Sequence, residues 1–377
     1  MTESALTMNG RSLSAKRILV MRYRFIGDTI LTVPFLRNLR RAYPEASIDV
    51  LVGPQSGSVL ENCPYIDQLL SFDTTRFHKY DRGRGPARSL LSYALELRHR
   101  QYDTVFLLKR SLSSGLLAWL TGARIRIGYD TEFRRLFLTH KLSWDSTRHE
   151  VESTLDLLRA ANVPVVDDYL EAFISEKERA EIVRIVPELK QAAPLVLIHA
   201  AAAHPNKMYP LQHWAKILRS LKEEREILPF FTGAERDRPL YQELENLSGV
   251  RGVNLAGQLS LRQSLALYEQ MHLAICVDSG PAHMAAAANT RTVAIFGPTD
   301  PRRWRPWGPQ HVAVFDPLLA DRQCPLHQDC QQKLCLGKLD PELVLHHCLP
   351  ALIAQRSSPA VEKSIYAAPI QSGENVK

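Results

Sequence analysis

Short runs of aliphatic residues recur along this chain, and the longer stretches between them place apolar residues every three to four positions. Apolar runs of about five residues bounded by turn residues read as buried strands, and the 3.6-residue repeat reads as amphipathic helix. The first strand is predicted at residues 17–22 (Arg-Ile-Leu-Val-Met-Arg), followed by helix 29–43, strand 47–52, helix 56–62 and strand 68–72. A basic loop at 76–86 leads to helix 87–100, strand 103–108, a short helix at 115–121 and strand 124–128. Residues 129–144 are irregular and run into helix 150–161. The alternation restarts with strand 195–199, loop 200–210 and helix 211–223. It continues through strand 227–232, helix 238–246, strand 253–255, helix 261–271, strand 273–277, helix 281–289 and strand 292–296. Alternation of this kind specifies a parallel sheet covered by helices on both faces, with right-handed crossovers.

Two such arrays in 377 residues imply an α/β chain of two Rossmann-like, doubly wound domains facing a central cleft. The expected division is 16–175 and 194–354, joined through 176–193, with flexible ends at 1–15 and 355–377. A composition of 45% hydrophobic and 23% charged residues suffices for two cores. The formal net charge of +7 suggests an acidic partner such as a phosphorylated sugar, an anionic lipid or nucleic acid. Nucleic acid is disfavoured, because no recognised binding motif occurs and the aromatic residues do not interleave with the basic ones. Residues 1–15 lack the apolar core of a signal peptide and no run of about 18 apolar residues exists, so a cytoplasmic protein is expected.

Candidate chemistry gathers where predicted strands end, because open α/β sheets bind ligands beyond the carboxyl ends of their strands. Gly27-Asp28 follows the first strand and opens a helix. The plainer role for Asp28 is an N-cap; the functional role is a general base at the cleft edge. Asp278-Ser279-Gly280-Pro281-Ala282-His283 ends a buried strand and begins a helix whose free N–H groups and dipole suit a phosphate. Gly297-Pro298-Thr299-Asp300-Pro301 forms a second rigid turn on the same edge. Lys207, in the loop after strand 195–199, is either simply solvated or a cation for a departing diphosphate. Glu235 and Asp237 follow strand 227–232, where an acidic side chain binds ribose hydroxyls in dinucleotide folds. GxGxxG, the P-loop and any Asp-x-Asp pair are absent, so protein cations and a helix N-terminus are expected to meet the diphosphate charge. Cys324, Cys330, Cys335 and Cys348 are either a structural zinc site or reduced, packed thiols; the spacing lacks a CxxC pair.

These residues together resemble glycosyltransferase family 9, the ADP-heptose:lipopolysaccharide heptosyltransferases and their relatives, over roughly residues 16–349. The opening strand, Gly-Asp turn and helix (17–34) and the turns at 277–288 and 294–301 carry the likeness. The resemblance implies a GT-B fold and an inverting, metal-independent sugar transfer without a cofactor. Asp28 would be the base, and Lys207 stands where the family has a lysine before a Trp-Pro pair, here Met208-Tyr209-Pro210. Asp278, Ser279, Gly280, His283 and Thr299 would hold the donor diphosphate, and Asp237, by its distance from Gly233, fits the ribose position best, with Glu235 a close rival. Arg22, Arg24, Arg82 and Arg134, with their basic loops, are expected to meet an anionic glycolipid acceptor at the inner membrane surface. The family often has small hydroxyl residues before the aspartate, where this chain has Arg24-Phe25-Ile26. Two other classes stay open: a non-catalytic sugar-nucleotide or glycolipid-binding module, and a Rossmann oxidoreductase.

Overall fold

Strands whose residues are nearly all buried need cover on both faces, and the chain supplies it twice. The computed structural model describes residues 15–23, 25–73, 88–316 and 334–353. The first lobe contains β1 (Arg17–Met21), β2 (Ser47–Val52), β3 (Gln68–Ser71), β4 (Thr104–Leu107), β5 (Ile125–Tyr129) and β6 (His140–Leu142). They form one parallel sheet in the order β3-β2-β1-β4-β5-β6. The second contains β7 (Leu195–His199), β8 (Leu228–Phe231), β9 (Val253–Asn254), β10 (Leu273–Val277), β11 (Thr292–Ile295) and β12 (Val312–Val314), ordered β12-β11-β10-β7-β8-β9. Both sheets therefore share the doubly wound topology. Each reverses its strand order once, between β1 and β4 and between β7 and β10, and such reversals open a crevice at the strands' carboxyl ends.

The helix expected over 29–43 is two helices, α1 (Ile26–Ile30) and α2 (Val33–Ala42). Pro34 has no N–H to give to the Ile30 carbonyl, and Thr32 Oγ1 donates instead to the Asp28 carbonyl at 2.9 Å, so the axis breaks between them. The first helix also starts upstream of the expected position: Phe25 is at its N-cap and Asp28 lies within its first turn. Two short edge strands, β6 and β12, escape the periodicity because three residues cannot establish a period. The remaining first-lobe helices are α3 (Leu90–His99), α4 (Leu112–Leu120) and α5 (Glu150–Ala160). The segment expected as a connection begins with α6 (Glu176–Ile185), whose capping box at Ser175 and Glu178 fixes its start. It is tied to α9 (Leu261–Gln270) by Arg179–Glu269 at 2.8 Å and Arg262–Glu178 at 2.6 Å. The second lobe also holds α7 (Leu211–Arg225), α8 (Arg238–Ser248), α10 (Gly280–Ala287), α11 (Pro301–Trp304) and the helices Leu334–Lys338 and Pro341–Ile353. No helix among the described residues is long and apolar enough to cross a membrane. Residues 1–14 and 354–377, where flexible ends are expected, and the basic loop 76–86 lie outside the described residues.

One apolar cluster runs through both lobes, from Ile18, Phe35 and Phe106 to Leu197, Cys276 and Ala294. The lobes also meet at the ends of α1 and α10. A Cβ on Gly27 would lie 2.8 Å from His283 Cδ2 and 3.6 Å from the Gly280 Cα, so glycine is what lets the two turns approach. Gly27→Ala should therefore force this seam apart and cost about 1–3 kcal/mol through overpacking. The measurement is the urea midpoint, with Gly337→Ala as a control, since a Cβ there meets nothing within 4 Å. Equal midpoints for the two variants would contradict the seam.

Candidate active site

The candidate residues sit on turns that follow the central strands of the two sheets. In the first lobe, β1 leads to Arg22 and Asp28, and β4 leads to Arg110. In the second, β7 leads to the loop carrying Lys207, β10 to Asp278 and α10, and β11 to Thr299. Gly27 packs on His283 and Gly280, so Asp28 and the first turn of α10 share one space.

The first turn of α10 has no side-chain cap. Ser279 Oγ donates instead to the Val277 carbonyl at 3.0 Å, and Pro281 has no N–H to satisfy. Lys207 Nζ meets Asp278 Oδ2 at 2.7 Å, with Asp278 buried and Lys207 a quarter exposed. The ion pair thus holds Lys207 beside the N-terminus of α10, with Asp278 as its counter-ion. His283, one turn into α10, is buried with Nδ1 unpartnered. Burial lowers its pKa, Asp278 and Asp28 work against that, and Lys207 adds to it. Thr299 Oγ1 is likewise buried without a partner.

The two ribose candidates differ. Asp237 Oδ2 accepts the Ala234 N–H at 2.8 Å, so its carboxylate is engaged in its own turn. Glu235 is 72% exposed, and its only ion pair among the described residues is with Arg238 at 3.8 Å. It lies across Gly257, where φ is +76° and a Cβ would come 2.1 Å from Glu235 Oε2. Glu235 is therefore the more available of the two.

The acceptor arginines need correction. Arg134 is fully buried; its Nε donates to the Tyr129 carbonyl at 2.5 Å and its Nη1 to the Lys109 carbonyl, so it braces the loop after β5 instead of facing solvent. Arg22 is also buried and gives all three guanidinium nitrogens to protein: Nε to the Asp28 carbonyl (3.1 Å), Nη1 to the Leu108 carbonyl (3.0 Å) and Nη2 to Glu150 (2.8 Å). A buried guanidinium with each of its nitrogens bonded to protein braces the turn and does not reach out to an acceptor. Arg24 and Arg82 lie outside the described residues. So do Cys324 and Cys330; Cys335 packs beside Gly297, and Cys348 is buried in the second core with its thiol pKa pushed up by burial. Among the described residues no three metal-ligating side chains cluster.

Sequence reasoning missed the centre of the seam. Glu150, at the start of α5, is wholly buried and bonded to Arg22, to Arg110 through both oxygens (3.0 Å each) and to Arg303 of α11 (3.1 Å). Burial alone would raise its pKa, but Arg22, Arg110 and Arg303 outweigh that and hold it at about 2. Beside it, His149 caps α5, its Nε2 lies 2.9 Å from the Arg305 carbonyl, and its ring stacks on Trp307 at 4.4 Å. Trp307 Nε1 in turn donates to the Asp168 carbonyl at 2.8 Å. The only sequence signal was a His-Glu pair at a predicted helix start, and its partners lie far away in the chain.

A doubly wound pair of lobes with a carboxylate facing a helix N-terminus across a cleft defines a GT-B sugar transferase architecture. The profile of glycosyltransferase family 9 (heptosyltransferase) matches residues 90–334, well over half of the chain, and the chain belongs to that family. Lipopolysaccharide heptosyltransferase 3 of Escherichia coli is 28% identical over 294 residues, covering 75% of this chain and 84% of that protein. Lipooligosaccharide heptosyltransferase 2 of Haemophilus ducreyi is 26% identical over 316 residues, covering 79% and 88%. Among solved structures, a glycosyltransferase family 9 protein from Veillonella parvula superposes with a TM-score of 0.77 at 23% identity, covering 91% of this chain and 98% of that one. The E. coli ADP-heptose LPS heptosyltransferase II gives 0.70 at 22%, covering 89% and 98%. These likenesses establish the GT-B fold.

Burial at the seam also sets a pH dependence. Burial pushes the His149 pKa from its ordinary 6.5 down to about 3, so the unfolded chain binds a proton there that the folded chain refuses. Stability from this residue is complete above about pH 6.5 and is lost as pH falls toward 3. Between pH 7 and 5, His149→Asn, which keeps a capping side chain but cannot titrate, should flatten the fall in urea midpoint. An unchanged slope would show that acid sensitivity lies elsewhere.

Proposed function

We propose that this glycosyltransferase moves heptose from ADP-heptose onto a lipopolysaccharide-like acceptor by a single displacement. The observation that carries the reading is the shared gap between Asp28 and the first turn of α10. Asp28 removes the proton from the acceptor hydroxyl as its oxygen attacks the anomeric carbon. The bond to the nucleotide diphosphate breaks on the opposite face, and the configuration inverts. Lys207 and the α10 N–H groups meet the developing negative charge, as fixed dipoles and cations aimed at a leaving group do. The exposed carboxylate of Glu235 supports it as the ribose-binding residue, with Asp237 as the alternative.

Asp28→Asn tests the base directly. Turnover should fall by about 10²–10⁴-fold, while ADP-heptose still raises the melting temperature as for the wild type. In a panel of nucleotide sugars, the ADP-linked donor should give the largest rise, since a ligand at 100 Kd adds about 2.7 kcal/mol. Retained turnover in Asp28→Asn removes the base; a flat panel removes the donor reading; donor binding with no turnover in the wild type leaves a binding module.

The acceptor reading includes a lipid surface. Phe133 is 91% and Leu136 86% exposed on the turn after β5, with Arg135 between them 69% exposed. The buried Arg134 anchors that turn, and Glu132 and Phe133 take left-handed backbone angles (φ 48° and 59°) that turn the neighbouring side chains outward. Apolar tips beside a cation suit the interface of an anionic leaflet. Thr131 Oγ1 donates to the Arg110 carbonyl at 3.0 Å, joining this turn to the cleft. Phe133→Asp with Leu136→Asp should abolish co-sedimentation with phosphatidylglycerol vesicles and leave the ADP-heptose thermal shift intact. Co-sedimentation equal to wild type would overturn the lipid contact.

A further inference from the structure

The side chains behind Asp28 form a closed electrostatic unit that neither the base nor the anion cradle explains. Arg22 Nη2 lies 2.8 Å from Glu150 Oε1 and 3.5 Å from Asp28 Oδ1, while Arg22 Nε holds the Asp28 carbonyl. One guanidinium thus fixes both the backbone and the carboxylate of Asp28, and Glu150 fixes the guanidinium. Arg110 occupies both Glu150 oxygens and anchors the turn after β4. The fourth bond crosses the cleft: Arg303 Nη2 of α11 reaches Glu150 Oε2, and its guanidinium and that of Arg110 lie 4.6 and 5.0 Å from the Trp144 ring. Arg303 follows the turn that carries Thr299, so the same short segment serves the anion side of the gap.

We propose that Glu150 is the positioning residue of this site, locking Arg22 against Asp28 and, through Arg303, making that placement depend on the second lobe being seated. The proposal rests on Asp28 being the base. A carboxylate is required because three guanidinium groups converge there; a neutral side chain leaves their charge on Asp28 alone. Among the described residues the groups facing Asp28 are Arg22 from the end of β1, Glu150 behind it on α5, Arg303 from α11 and His283 from α10.

The test is the pH profile of kcat/KM in Glu150→Gln, Glu150→Asp and Arg303→Met, each first shown to melt cooperatively and to bind ADP-heptose. Glu150→Gln should lower kcat by about 10²-fold, as a misplacement near 1 Å does, without raising the donor KM. Its acidic limb should move to lower pH, because Arg22 and Arg303 then act on Asp28 without a Glu150 charge to oppose them. Glu150→Asp keeps the charge, so its limb should stay at the wild-type pH while kcat recovers in part. Arg303→Met, altered only in the opposite lobe, should also lower kcat. Wild-type kcat with an unmoved limb in Glu150→Gln, or wild-type kcat in Arg303→Met, overturns the proposal. Should Glu150→Gln fail to fold, Arg22→Lys carries the test, since a point charge cannot bridge Glu150 and Asp28 together, and a wild-type profile there overturns it equally. An active Asp28→Asn would refute the base itself; an inactive Asp28→Asn beside a normal Glu150→Gln refutes only the positioning role.

Discussion

A carboxylate taken wholly out of water is tolerable only where cationic donors replace its hydration, and Glu150 is such a group. Its demand for partners gathers Arg22 from the end of β1, Arg110 from the end of β4 and Arg303 from the second lobe. No single element could supply all three. Removing one partner would leave unpaired buried charge, which costs more than the pair contributes. The cluster therefore specifies relative placement: the two strands flanking the first switch point, and the lobe across the cleft, are brought to one point.

The repeated topology explains why the chemistry divides between lobes. Each sheet opens one crevice, and each crevice offers a different element. After β1 comes a broken helix that presents a carboxylate, because Pro34 ends the first turn's continuity and leaves Asp28 beside the gap. After β10 comes an uncapped helix N-terminus with a lysine held beside it by Asp278. Glycine at position 27 then allows the two to meet without a side chain between them.

Most strands and the switch-point turns were legible because a buried parallel strand needs a continuous apolar run, as Leu273–Val277 shows, and turns such as Gly27-Asp28 punctuate those runs. The three-residue strands β6 and β12 carried too few positions for a period. Arginine burial was not legible: Arg22 and Arg134 stand in basic, loop-like surroundings, yet the fold encloses both, because carbonyls at the ends of β4 and β5 need donors. Helix α6 shows the same limit, its charged sequence resembling a connector until Arg179 and Glu178 find Glu269 and Arg262 in α9. Glu150 is the clearest case, since its partners are separated from it by 128, 40 and 153 positions. Only tertiary structure brings them together.

Acidic residues ease a conflict in this site. A base beside a cradle built for diphosphate would be over-stabilised as a carboxylate by the cations that the leaving group requires, and so lose its affinity for a proton. Here Lys207 is paired with Asp278, and Glu150 offsets one of the three positive charges of Arg22, Arg110 and Arg303. His283, which burial keeps toward its neutral form, adds contact between the lobes without adding a full positive charge. The arginines near Asp28 thus hold its position with part of their charge answered by Glu150, and their net positive charge stays on the side of the gap that Asp28 occupies.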